Sequence, residues 1–242
     1  MEFRRLSQTT FKSKSSIIAE QILEMIRAER FRIGDKLPPE RIIAEQMGVS
    51  RPSVREAISA LQIGGILEKR PGDGTYVIHS PDSDDLKNQA ITVLEASDSP
   101  YDILQARRAI EIGVVRLAIE VATDEDISAL KQARKERVEK GRKGNFEEYS
   151  MYGKGFHFVI AKATKNRVII NMMDKLLDAM QQPLWINMRK AYYQEDPSRI
   201  DQMLEVHDNI VKAIIERDVE KAVCAIEADF DHVLQQLYSF NE

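Results

Sequence analysis

The sequence predicts a mainly α chain in two parts: an N-terminal winged helix-turn-helix followed by an all-α helical bundle. Three observations predict it. Apolar residues recur at helical spacing through most of the 242 residues. One stretch, Ile66 to Ile78, breaks that pattern with two strand-like runs around strong turn chemistry. Glycine (11) and proline (8) are few, which suits helices better than a sandwich.

Composition excludes several classes. A single cysteine, Cys224, rules out an intramolecular disulfide framework and a cysteine-based zinc site. No run approaches the roughly 18 apolar residues of a membrane span, and Met1 to Lys14 is polar, without the apolar centre of a signal peptide. A cytoplasmic protein, with no membrane partner, is expected. The net charge of −4 hides an asymmetry. Residues 1–80 hold 13 Lys+Arg against 10 Asp+Glu, a net of +3, and the remainder nets −7. That division is expected where only the front meets phosphate.

Ile18, Ile22, Met25 and Ile26 recur at helical spacing, so 15–29 read as an amphipathic helix. A turn follows at Arg32 to Lys36. Pro38-Pro39-Glu40 opens a second helix, with proline at the first helical position and an acid in the first turn. It runs through Ile42, Ile43 and Met47 and stops at Gly48. Ser50 is the expected N-cap of a third helix. There Val54, Ala57, Ile58 and Leu61 form the buried stripe, and Arg51 and Arg55 share an outward edge. Ile66 to Arg70 and Thr75 to Ile78 read as strands joined by Pro71-Gly72-Asp73-Gly74. A hairpin after a recognition helix is a wing, and His79 ends it as a surface residue.

Leu37-Pro38-Pro39-Glu40-Arg41, Val49-Ser50-Arg51-Pro52-Ser53-Val54-Arg55-Glu56-Ala57 and Gly72-Asp73-Gly74-Thr75-Tyr76-Val77 resemble the DNA-binding domain of GntR-family bacterial transcription regulators. The resemblance covers about residues 15–78. It implies that Arg41, Arg51 and Arg55 contact double-stranded operator DNA and that Gly72 or Gly74 enters the minor groove. Ser50 and Ser53 would hold phosphates or base edges. Arginine can bond bidentately to guanine O6 and N7, worth roughly 1–3 kcal/mol of discrimination. The competing reading is a solvated, salt-bridged arginine surface, with Glu56 beside Arg55. For the serines, capping alone competes with DNA contact.

Ser80 to Pro100 is polar with an apolar middle and reads as a linker carrying a short helix. Beyond it, helices are expected over 101–121, 124–143, 146–163, 167–182, 184–194, 197–216 and 218–238, with Asp124, Asn145 and Ser198 in cap regions. The expected division is 1–79 for the DNA-binding domain, 80–99 for the linker and 100–242 for an effector-binding bundle. Arg107 sits among Ile103, Leu104 and Ile110 on an apolar face. There it either pairs with Glu111 or awaits an anionic ligand. Three of the four histidines fall in the bundle. His207 faces inward between Met203, Leu204, Ile210 and Val211. His157 adjoins Ile160 and Ala161. His232 lies off the main stripe of the last helix, beside Ala225 and Asp229.

Arg107-Arg108-Ala109-Ile110-Glu111, Phe156-His157, Glu205-Val206-His207 and Ala228-Asp229-Phe230-Asp231-His232 resemble the FCD effector domain of the FadR branch of the family. The resemblance implies a divalent metal, Zn or Ni, held by His157, His207 and His232. It also implies a homodimer on a palindromic operator, and a small carboxylate effector that meets Arg107. The family's aspartate ligand, one turn before the first histidine, is replaced by Gly153. Three outcomes stay open: a metal on three imidazoles, a substitute carboxylate, or a metal-free site where the histidines meet effector directly. The resulting reading is a DNA-binding transcription regulator whose operator affinity a small organic acid modulates, and not an enzyme. The alternatives are a regulator with a metal-free or purely structural bundle, and a metal-dependent enzyme. The enzyme reading lacks a general base paired with a nucleophile.

Overall fold

Helix α1 (Lys14–Arg27) starts where Ser13 Oγ accepts a hydrogen bond from the Ser16 amide at 3.1 Å. The structure is a computed structural model, and it describes residue 3 and residues 13–70, 72–80, 84–142, 146–196 and 198–238. Ile18, Ile22, Met25 and Ile26 are all buried, as their spacing predicts. In α2 (Glu40–Met47), Pro39 takes the N-cap and not the first helical position, and Gly48 closes the helix at φ 66°. In α3 (Arg51–Ile63), Ser50 Oγ accepts from the Ser53 amide at 3.4 Å. Helices α1 and α2 pack on α3, whose Val54, Ala57, Ile58 and Leu61 are buried. Each such larger aliphatic contributes roughly 1.5–3 kcal/mol when withdrawn from water.

Strands β1 (Leu67–Arg70) and β2 (Gly74–Val77) pair antiparallel, with Leu67 opposite Val77 and Arg70 opposite Gly74. Pro71 lies outside the described residues. Gly72 sits at φ 70° with open space around it, so the tip needs a residue free to enter the left-handed region. The Leu37 amide donates to the Thr75 carbonyl at 2.8 Å, and the Gly34 amide to Val77 at 2.8 Å, tying the α1–α2 connection to the wing. The segment read as a linker carries α4 (Asp84–Ala96), which packs on α1 and α3 and buries Ala90 and Leu94. This first compact unit runs to Pro100 and also takes in Pro183–Met188.

The second unit holds Tyr101–Gln182 and Arg189–Glu242. Its helices are α5 (Pro100–Val121), α6 (Asp124–Arg142), α7 (Phe146–Ala163), α8 (Arg167–Ala179), α10 (Arg199–Ile215), α11 (Val219–Tyr238) and, from Arg189 onward, α9 (Pro183–Glu195). These match the expected helices to within a few residues. The largest difference is the end of α8, at Ala179 and not 182, because Pro183 opens the next helix in its first turn. Thr123 and Asp126 cap α6 reciprocally: the Thr123 amide donates to Asp126 Oδ2 at 2.9 Å, and the Asp126 amide to Thr123 Oγ1 at 3.4 Å. Asn166 caps α8, Ser198 sits at the N-cap of α10 without a side-chain bond, and Asn145 lies outside the described residues. Helix α6 packs on α7 and α10, α7 on α8, and α10 on α11. Phe156, Phe230, Leu104 and Ile210 fill the centre. Helix α7 stays helical through Gly153 and Gly155. No helix among the described residues is long and apolar enough to cross a membrane.

Gly113 lies in the interior of α5, and a Cβ there meets nothing within 4 Å. Gly113→Ala is expected to stabilise the protein by about 0.5–1 kcal/mol, because alanine loses less backbone entropy in a helix. A rise in the urea midpoint at unchanged slope checks it.

Candidate functional site

The first site is the outer edge of α3 and the wing. Arg51 is the first residue of the helix and half-buried. Arg55 is one turn on, and Glu40 of α2 holds it through Nε at 2.9 Å and Nη2 at 2.8 Å. Both side chains are mostly buried, so Glu40 fixes the direction of the guanidinium. Glu56, the partner suggested by adjacency, instead faces inward and is buried. Arg41 is exposed and pairs with Glu45 at 2.7 Å. Ser50 Oγ and Ser53 Oγ lie 2.8 Å apart at the helix N-terminus. On the wing, Asp73 Oδ1 binds Lys36 Nζ at 3.0 Å and Oδ2 accepts from the Tyr76 hydroxyl at 2.8 Å. Those bonds, Tyr76 first and then Lys36, hold the Asp73 carboxyl below its ordinary range. Arg70 stacks on the Tyr76 ring, 4.1 Å from its centroid. Gly72 and Gly74 frame this cluster.

The second site is a buried polar chain at the centre of the bundle. Arg107 and Glu111 on α5 are one turn apart, 2.6 Å between Nη2 and Oε1 and 2.7 Å from Nε. The remaining guanidinium nitrogen, Nη1, reaches the Met180 thioether. Glu111 Oε2 bonds His157 Nδ1 on α7 at 2.8 Å. His157 Nε2 faces Asp229 Oδ2 on α11 at 3.7 Å, and Asp229 Oδ1 bonds His207 Nε2 on α10 at 3.0 Å. All five residues are buried. Phe156 stacks on the His207 ring at 4.5 Å and 12°, which fixes its plane.

Burial alone would raise Glu111, but Arg107 and then His157 more than reverse that and hold its carboxyl below the usual range. Asp229 is likewise depressed against its burial, by His207, His157 and Arg107. Burial, then the Arg137 charge, pushes His207 down to about 3, so the imidazole is neutral at neutral pH. Neutral imidazole is the form a metal requires.

The donor atoms of His157, His207 and Asp229 all lie within 4.8 Å of one another. This set suits a divalent metal for two reasons. Glu111 bonds His157 at Nδ1, so Nε2 is the ring atom left to face a metal, as in the carboxylate–histidine support of known metal sites. Nε2 stands 3.7 Å from Asp229 Oδ2, which leaves both atoms open to a cation between them. Two imidazoles with one carboxylate match the donor preferences of Zn and Ni.

His232 is not in this set. It is half-buried, Nε2 has no hydrogen-bond partner among the described residues, and burial lowers its pKa while Asp229 raises it. Three residues along α11 turn a side chain by most of a circle but not all of it, and the converging position goes to Asp229.

Residues 102–232 match the profile of the FCD domain, and residues 14–77 that of the bacterial regulatory proteins of the gntR family. The Exu regulon transcriptional regulator of Escherichia coli (strain K12) is 30% identical over 231 residues, 93% of this chain and 84% of the relative. The chain belongs to the GntR family. The Uxu operon transcriptional regulator of the same strain is 29% identical over 239 residues, covering 97% of this chain and 91% of its own. LutR of Bacillus subtilis (strain 168) is 28% identical, with 90% and 98% covered. Among solved structures, E. coli McbR/YncC shares the fold at a TM-score of 0.50 and 20% identity, with 93% of this chain and 97% of that one aligned. The protein is thus a DNA-binding GntR regulator with an FCD effector domain, and its relatives are regulators and not enzymes.

For this GntR regulator the sequence reading missed Asp229, Glu40 and the link from Glu111 to His157. The signal for Asp229 was present. It stands three residues after Ile226 and four before Val233, on the buried stripe of α11, whereas His232 was already off it.

Proposed function

We propose that the protein is a homodimeric regulator that reads a palindromic operator and is modulated by a small organic acid held at a divalent metal in the bundle. The convergence of His157, His207 and Asp229 in the buried core carries this reading. Asp229 supplies the carboxylate that Gly153 cannot. Zinc or nickel there would act as a Lewis acid that anchors the effector's carboxylate. Glu111 orients His157, and Arg107 holds Glu111. Arg107 also keeps Nη1 on a thioether, a weak acceptor that an effector oxygen can displace. One relative's name refers to an L-lactate dehydrogenase operon, so hydroxy acids that chelate through carboxylate and hydroxyl lead the screen, L-lactate first.

On the head, Arg51 and Arg55 read base edges and Arg41 supports them. Ser50 and Ser53 offer hydroxyls to phosphates beside a helix N-terminus, and Gly72 and Gly74 let the wing approach the minor groove. Elemental analysis of untagged protein after dialysis against metal-free buffer tests the core of the reading. About one metal per chain is expected, with loss in His207→Ala. Metal-free protein that takes up none on titration sinks the metal, and leaves an Arg107–histidine anion cage. Arg51→Ala is expected to lose roughly 1–3 kcal/mol of discrimination at one base pair per half-site, with random-sequence binding nearly unchanged. Competition titrations on operator and scrambled duplexes measure it. An equal loss on both would make Arg51 a phosphate contact.

A further inference from the structure

Helix α3 carries two buried polar residues, Glu56 and Ser59, three apart on one face. Glu56 Oε2 accepts from Ser15 Oγ of α1 at 2.7 Å, and Oε1 from Ser99 Oγ at 2.7 Å. Ser59 Oγ accepts from Asn187 Nδ2 at 2.8 Å, and its carbonyl from the same nitrogen at 3.4 Å. All of these residues belong to the first compact unit. Ser99 and Asn187 have one further property in common. The unit ends at Pro100 and its second piece at Met188, so each donor stands next to a point where the chain leaves the unit. Beyond Met188 the same helix, α9, runs on to Glu195, and there Tyr193 is buried with Met203 and Leu204 of α10.

Packing alone does not call for these groups. A buried carboxylate is costly unless hydroxyls or amides satisfy it, and apolar residues would fill the same space without that demand. What the polar pairs add is direction: each fixes one donor against one position of the recognition helix. A helix is stiff, so donors bound to two α3 acceptors three residues apart cannot shift independently of the edge that carries Arg51 and Arg55.

We infer that Glu56 and Ser59 are positioning residues that couple the effector domain to the recognition helix, through Ser99 at the first chain exit and Asn187 at the second. The inference rests on the protein's DNA-binding role and not on the metal. By linkage, DNA on α3 must then be felt in α9 beyond Met188.

Hydrogen exchange on the full chain tests this, with the tightest duplex selected from a random pool by the wild type. Bound duplex is expected to slow exchange in residues 189–195 by about fivefold, the low end of ordinary allosteric coupling. In the Ser99→Ala/Asn187→Ala variant that protection is expected to fall below about twofold, with duplex affinity changed by less than the same fivefold. A purely structural role would lower stability yet leave the transmitted protection intact, and that result overturns the proposal. So does a wild type without protection at 189–195. Should the double variant fail to melt cooperatively, Ser59→Ala takes its place, with loss of protection expected and full protection fatal. Failure to select any duplex removes the DNA-binding premise itself. It is seen before exchange is measured, and leaves the metal analysis standing.

Discussion

Asp229→Ala is expected to lower the unfolding free energy of the chelator-treated protein by about 3–5 kcal/mol at pH 7, the range for removing one member of a buried ionic network. Asp229 is buried and accepts from His207 Nε2. Its removal leaves that donor unsatisfied and takes an anion from a core that keeps Arg107 and Arg137. Asp229→Asn retains volume and one acceptor oxygen, so it should lose less than alanine does. Urea midpoints measure both, and an alanine loss under about 1 kcal/mol would mean that the core relaxes around the missing charge. The metal supplies an independent ordering. Removing a group that only supports a ligand, as in Glu111→Ala, costs about 10–100-fold in metal affinity. Asp229→Ala should exceed that, and His232→Ala should change it little. Competition against a chromophoric chelator reads all three. A large effect at His232 with none at Asp229 would restore the three-imidazole site.

The different legibility of the two domains follows from what fixes each element. Helix α3 could be read from Ser50 and the Val54, Ala57, Ile58, Leu61 stripe, because capping and periodicity are local. The wing could be read from Gly72 and its neighbours for the same reason. The end of α8 was misplaced by three residues, since nothing local to Ala179 stops a helix and Pro183 acts from the next one. Arg107 was legible as an inward cation, and its pairing with Glu111 follows from one-turn spacing. The joining of Glu111 to His157, and of Asp229 to His207, spans separations of 46 and 22 residues. No local pattern encodes such contacts. Gly153 announced a missing carboxylate, but which carboxylate stands beside His157 and His207 depended on the rotation of α11 in the bundle. The partner of Arg55 shows the same limit: adjacency pointed to Glu56, and packing of α2 on α3 delivered Glu40.

Acid should weaken the metal-free protein well before its carboxylates titrate, and His207 is the reason. Its pKa falls from 6.5 to about 3 in the fold. Below pH 6.5 the unfolded chain binds a proton there that the native state refuses until about pH 3. The unfolded state then holds more protons, so stability declines as pH falls, by about 1.4 kcal/mol per unit for one such group. From pH 6 to 4.5 this amounts to roughly 2 kcal/mol. Asp229 and Glu111 act in a lower window. Their folded pKa values are depressed, so their contribution is complete only above about pH 5, beyond the unfolded carboxyl values, and is lost as pH drops through the folded values. His232, also lowered, adds to the first window with the same sign. Urea midpoints at pH 7, 6, 5 and 4.5 in chelator should therefore fall steadily for the wild type. His207→Gln places a neutral amide beside Asp229, and its slope between pH 6 and 4.5 should be shallower by about one proton. The slope decides the matter and not the absolute stability, which the substitution lowers for packing reasons. Equal slopes would mean that His207 takes up its proton in the folded protein, with Asp229 compensating the charge that burial opposes.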